Sequence, residues 1–181
     1  TTGPGAPAVL HWGADLGPVT PEELTALALA AARPVRGGAP DGRPVGVVPE
    51  HTYAWFGIPG LAGHREGRDW SPRFRPDGVR VLPDDGTGTS VLTLQAVDPV
   101  ACLRLSVEIE LDEGGLVRIR AGIRNEHPGQ DYRLDALGVG LPVPARAVEL
   151  LDLTGRWARE RSPQRQPFTV GTRLRESRRG K

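Results

Sequence analysis

Three adjacent acid pairs, Glu22-Glu23, Asp84-Asp85 and Asp112-Glu113, are the places where two carboxyl groups could share acid and nucleophile work on a polar bond. That chemistry needs both groups on rigid elements at a fixed gap. Each pair falls instead in a helix cap or a turn, where solvated acids belong. The histidines His11, His51, His64 and His127 show no paired ligand spacing. Cys102 falls on the polar parity of its strand beside Arg104, with no histidine near it in sequence to activate it as a nucleophile. Gly86-Thr-Gly88 and Gly138-Val-Gly140 do not continue into a phosphate-binding fingerprint. The expectation is a chain with no catalytic residue, no metal and no cofactor.

Residues 49–74 are the richest stretch. His51 and His64, with Glu50, Glu66 and Asp69, stand among Tyr53, Trp55, Phe56 and Trp70. Aromatic side chains on irregular loops suit sugar faces, which makes Tyr53, Trp55 and Trp70 the candidate sugar-proximal residues. The other reading is that these rings plug the edge of a sandwich, and the residues alone leave both open.

The elements that must carry these groups are mostly strands. Ala8–Trp12 reads as a first strand ended by Gly13. One helix follows: Thr20 caps it, Pro21 suits its first turn, Glu23 completes a capping box, and Arg33-Pro34 ends it. Its apolar face, Leu24, Leu27, Ala28 and Ala31, is small, so it is a surface helix. The sheet signal is strongest from Val79 to Val143. Leu103, Leu105, Val107, Ile109 and Leu111 alternate with polar residues; a turn at Asp112-Glu-Gly-Gly115 follows; Val117, Ile119, Ala121 and Ile123 then alternate with arginines. This predicts an antiparallel hairpin with Glu108 and Glu110 facing arginines across its outer side. Val91–Val97, Leu137–Val143 and Ala147–Leu153 are further strand candidates. Many short strands between turn signals mean an all-β sandwich or barrel.

The 181 residues, 38% hydrophobic and 25% charged, suit one soluble globular domain with no membrane span. A single cysteine excludes an internal disulfide and favours a reducing, cytoplasmic compartment. The start at Thr1-Thr-Gly3 and the lack of methionine suggest a segment of a longer protein. Residues 155–181 carry nine of the 23 basic residues and two of the 22 acidic ones, a basic strip on an acidic body. The arginines are interleaved with Glu, Pro and Gly and lack an aromatic stacking series, which argues against nucleic acid. The strip's large apolar side chains are Trp157, Phe168, Val170 and Leu174. Ordering its backbone costs roughly 1–2 kcal/mol per residue, more than those four can return, so the strip is expected to be disordered or laid against something else. The chain therefore divides into a sandwich domain, 1–154, and a basic strip, 155–181.

Gly155-Arg-Trp-Ala-Arg-Glu160, Pro163-Gln-Arg-Gln166 and Glu176-Ser-Arg-Arg-Gly180 resemble the end of the N-terminal domain of bacterial alpha-galactosidases of glycoside hydrolase family 36, and Leu10-His-Trp-Gly13 is similar to that family's aromatic-Trp-Gly element. The resemblance implies a large two-sheet antiparallel sandwich of the galactose-mutarotase type. It also implies a retaining glycosidase whose two catalytic aspartates belong to a barrel outside this chain. Trp157, Arg159, Glu160, Glu176, Ser177, Arg178 and Arg179 are then expected to meet that barrel. The implied partners are the catalytic barrel of the same polypeptide, an alpha-galactoside bound by the full enzyme, and further copies in a homo-oligomer. Two other classes stay open: a free-standing carbohydrate-binding module using the Tyr53–Trp70 aromatics, and a mutarotase-like sugar epimerase, which needs a His and Glu pair facing a groove.

Overall fold

The computed structural model describes residues 5–31, 45–53, 55–84, 86–144, 146–169 and 171–176. The chain divides into two compact units, Thr1–Pro142 and Val143–Lys181. The boundary drawn from charge, between 154 and 155, falls inside a strand of the second unit.

Helix α1, Pro21–Ala30, begins as its residues dictate. The Thr20 hydroxyl accepts the Glu23 N–H at 3.2 Å, and the Glu23 carboxylate accepts the Thr20 N–H at 2.8 Å, so two orphan donors of the first turn are satisfied reciprocally. No residue of α1 is buried. The expected stop at Arg33-Pro34 lies outside the described residues.

Strands β2 (Arg75–Leu82), β3 (Thr89–Asp98), β4 (Leu103–Asp112) and β5 (Val117–Asn125) form one antiparallel meander. The period of two on β4 sets its faces: Leu103, Leu105 and Val107 are buried beside Leu94 and Ala96 of β3, with Ile119, Ala121 and Ile123 of β5 packed against them. The outer face holds the expected charge pairs. Glu108 lies opposite Arg120 and Glu110 opposite Arg118, and both pairs are hydrogen-bonded. A second ribbon, β1 (Leu61–His64) with β6 (Arg133–Leu137), contributes Leu61 and Leu137 to the same core, joined by Val47, Val48 and Phe74. The second unit is an antiparallel hairpin of β7 (Glu149–Arg156) and β8 (Arg159–Pro167).

Several strand expectations are corrected. Ala8–Trp12 is not a strand: only Ala8 makes a bridge, to Gly46, and Trp12 is exposed. The Leu137–Val143 strand is displaced toward the N-terminus as β6, because Pro142 and Pro144 have no N–H to continue a ladder. Gly138 and Gly140 instead donate singly to Gly60 and Val47. Cys102 is not on β4 but in the turn before it, with φ 50°. Strand β8 was not expected, since its side chains carry almost no apolar pattern. It forms through backbone pairing with β7, so residues 159–167 of the strip are ordered as a strand.

Val107 and Glu108 test the facing of β4. Val107→Asp puts an unpaired carboxylate at a 2% exposed position and is expected to cost several kcal/mol, whereas Glu108→Ala removes one exposed ion pair worth about 1 kcal/mol or less. Denaturant midpoints of the two variants should therefore differ widely; coincident midpoints would mean the buried face is misassigned.

Candidate functional site

The aromatic stretch is pinned by two carboxylates. Glu50 accepts the Ala6 N–H on Oε1 at 3.1 Å and the Phe74 N–H on Oε2 at 3.0 Å. Asp98, at the end of β3, accepts the Arg73 N–H on Oδ2 at 2.7 Å and the Val100 and Ala101 N–H groups on Oδ1. Burial pushes the Glu50 carboxyl up to about 7, outweighing the two N–H groups and the Arg73 charge that favour its ionised form; the nearby Asp98 charge pushes the same way as burial. Tyr53 closes the arrangement: its hydroxyl donates to the Phe74 carbonyl at 3.0 Å, and the Arg73 guanidinium lies 5.6 Å from its ring centre. Gly5 fits here because a Cβ would sit 2.9 Å from the Tyr53 ring.

A buried arginine, absent from the sequence expectations, holds the next loop. Arg65 is 3% exposed. It pairs with Asp69, donates to the Ala101 carbonyl at 3.0 Å and to Asn125 Oδ1 at 2.8 Å, and lies over the Tyr132 ring. The Arg65–Arg68 turn closes with a backbone hydrogen bond in each direction, while Glu66 and Asp69 take left-handed φ values of 51° and 56°. This fixed turn leads directly to Trp70, which is 62% exposed and meets the His51 ring edge-on at 6.5 Å. Of the three aromatics singled out from sequence, Tyr53 is half-buried by its own contacts. Trp55 is half-buried too, donating its Nε1–H to the Ile58 carbonyl at 2.8 Å. Trp70 is the one with a free face, and the exposed Phe56 was passed over.

The histidines and one acid of each pair have local duties. His11 and His51 bond the Ala14 and Trp55 carbonyls, and His64 and His127 accept the Gly67 and Gly129 N–H groups. Asp84 takes three N–H groups of its own turn, Asp112 caps the β4–β5 turn through Leu116, and Glu23 caps α1; Asp85 lies outside the described residues. Among the described residues no cluster of three His, Cys, Asp or Glu could hold a metal ion.

The residues singled out at the C-terminal end separate. Arg156 and Arg159 are partners across the β7–β8 ribbon, so Trp157 and Ala158 form the connecting turn. The Glu160 carboxylate accepts the Ala158 N–H at 2.9 Å, an internal brace of that turn. Strand β8 carries one extra residue beside Gly155, where a Cβ would lie 2.5 Å from the Arg159 carbonyl. This spatial need explains the glycine that opens the motif. Trp157 is 81% exposed. Glu176 is the last described residue, and Ser177, Arg178 and Arg179 lie outside the described residues.

Comparison with known proteins places these features in a family. The model of the glycosyl hydrolase family 36 N-terminal domain matches residues 5–181. An alpha-galactosidase of Escherichia coli is 34% identical over 174 residues, covering 96% of this chain and 23% of that protein. A crystal structure of the GH36 alpha-galactosidase AgaA from Geobacillus stearothermophilus superposes with a TM-score of 0.78 at 20% identity, over 97% of this chain and 27% of that one, which shows a shared fold. The chain thus spans about a quarter of each relative's length.

The Glu50 clamp makes stability depend on pH. Its carboxyl titrates near 4.5 when solvated and at about 7 in the fold, so the folded state keeps a proton that the unfolded chain has already lost. Its contribution is full below pH 4.5 and is withdrawn as pH rises through about 7, a change of about 3 kcal/mol. Denaturant titrations at both ends of this window should show wild type losing more stability with rising pH than Glu50→Gln. Equal losses would mean Glu50 titrates as a solvated acid.

Proposed function

The chain belongs to the glycosyl hydrolase family 36 N-terminal domain family, and from that premise we propose that it is the non-catalytic β-sandwich domain of an alpha-galactosidase. In this reading it packs on the catalytic domain of the same polypeptide and supports assembly of a homo-oligomer, while the retaining two-carboxyl chemistry on alpha-galactosides is carried by the remainder of the polypeptide. The observation that carries the proposal is the family match from residue 5 to residue 181, in a chain equal to 23% of an alpha-galactosidase 34% identical to it.

The side chains support it. One acid of each adjacent pair, Glu23, Asp84 and Asp112, is spent on backbone N–H groups of a cap or a turn. The β7–β8 hairpin has no buried side chain among its described residues, and a lone two-stranded hairpin is marginal in water, so it gains by docking. We assign that docking to the strip bearing Trp157, Arg159, Glu160, Glu176, Ser177, Arg178 and Arg179, with Glu160 acting as the brace of its turn. Of the three candidate aromatics, Trp70, with its open face, is the one best placed to meet a sugar held by the full enzyme, while Tyr53 and Trp55 are tied to backbone carbonyls. The single Cys102 fits a reducing, cytoplasmic setting. An epimerase would need a histidine free to face a groove, whereas each histidine here bonds backbone of its own turn.

Release of nitrophenol from the nitrophenyl alpha-galactoside separates the roles. Residues 1–181 alone are expected to match the buffer blank, and the full-length polypeptide to turn over. Turnover by 1–181 that disappears when an acid within it is mutated would overturn the non-catalytic assignment.

A further inference from the structure

The tip of the β7–β8 hairpin carries an electrostatic conflict. Arg156 and Arg159 are direct cross-strand partners, which sets two guanidinium groups on one face beside the Trp157-Ala158 turn. Like charges in that position destabilise a ribbon. The β2–β5 sheet contains the same arrangement, Arg104 opposite Arg124, and resolves it: Arg104 pairs with Glu126 at 2.7 Å and with Asp77 at 2.5 Å. At the tip, neither Arg156 nor Arg159 has an ion pair among the described residues. The hairpin's own acids are committed elsewhere, Glu149 to Arg165, Asp152 to Arg175 and the Glu160 Oε1 to the Ala158 N–H.

Between the two arginines stands an indole with four-fifths of its surface in water. Its backbone is set in advance. Gly155 admits no side chain, and Ala158 and Arg161 are held at left-handed φ values of 64° and 59°. A tryptophan fixed before binding loses little freedom on docking, and arginine forks select carboxylates.

We infer that this tip is a plug: Trp157 enters an apolar pocket whose rim carboxylates pair with Arg156 and Arg159, on the catalytic domain of the same polypeptide. The choice of that domain rests on the function proposed above; the chemistry of the pocket follows from the tip itself.

Arg159→Glu in the full-length polypeptide gives a sharp test, because it relieves the Arg156–Arg159 conflict within the hairpin while opposing an acidic rim. Hydroxyl-radical footprinting reads the exposure of the Trp157 indole. It should be shielded in wild type and in Arg159→Lys and oxidised several-fold faster in Arg159→Glu, with the solution mass unchanged. Rapid oxidation in wild type, or shielding unaltered by Arg159→Glu, would overturn the plug. Shielding that is lost on dilution to the monomer would place the pocket on a second copy and overturn it as well. Hydrogen exchange of residues 171–176 separates the two levels: slowed exchange with an open Trp157 removes the plug and leaves the packing, and free exchange at both removes both.

Discussion

Two neighbouring backbone N–H groups, those of Arg73 and Phe74, are held by carboxylates that arrive from opposite directions in sequence. Asp98 comes from the end of β3 and Glu50 from the segment after Val47 and Val48. An unpaired buried N–H costs about as much as a lost hydrogen bond, and one of these two belongs to the fully buried Phe74, just before the chain enters β2. The other oxygens of the same carboxylates bind Ala6, Val100 and Ala101. One clamp thereby ties the N-terminal segment, the aromatic loop and the β3–β4 turn to a single core. The elevated Glu50 carboxyl follows from this position, because the group is buried for its geometry and its charge is the term that suffers.

The two units are held in different ways. The first has a core of packed side chains, from Ala6 to Val107. The second relies on backbone pairing between β7 and β8, a braced turn and ion pairs such as Glu149–Arg165 and Asp152–Arg175. Exposed ion pairs contribute roughly 0–1 kcal/mol each, so they shape the hairpin more than they stabilise it. Its defined features, a fitted glycine, a strand bulge and a carboxylate brace, all lie at the turn that carries Trp157.

What could be read from residues follows the same division. The β4–β5 hairpin was legible because apolar residues alternate with mostly charged ones; the pairing obeys that period throughout and burial obeys it from Leu103 to Val107, while Leu111 at the far end is exposed. The helix was legible because Thr20 and Glu23 form a local device. Strand β8 was not, since a ladder of N–H and C=O groups leaves no mark in side chains such as Arg165, Gln164 and Pro163. Arg65 was also hidden. Besides the nearby Asp69, its partners are Ala101, Asn125, sixty residues away, and Tyr132, and no local pattern announces those three. The aromatic loop fell between these cases: its composition marked the region, but the turns of Tyr53 toward Phe74 and of Trp55 toward Ile58 depend on backbone carbonyls placed by the fold.

Five of the acids are tied to backbone by the fold itself. A carboxylate serving hydrolysis must approach the substrate with a lone pair or a proton to spare. Glu23, Glu50, Asp84, Asp98 and Asp112 each accept backbone N–H groups that would otherwise be orphaned at a cap, a turn or a strand entry. Moving any of them toward a substrate would strip those donors of their partners, at about 1–3 kcal/mol for each one left buried. The acids that remain mostly face arginines, as Glu108 and Glu110 do on the outer side of β4 and β5. The same commitments that order this sandwich therefore hold these five carboxylates on backbone, where they serve the fold.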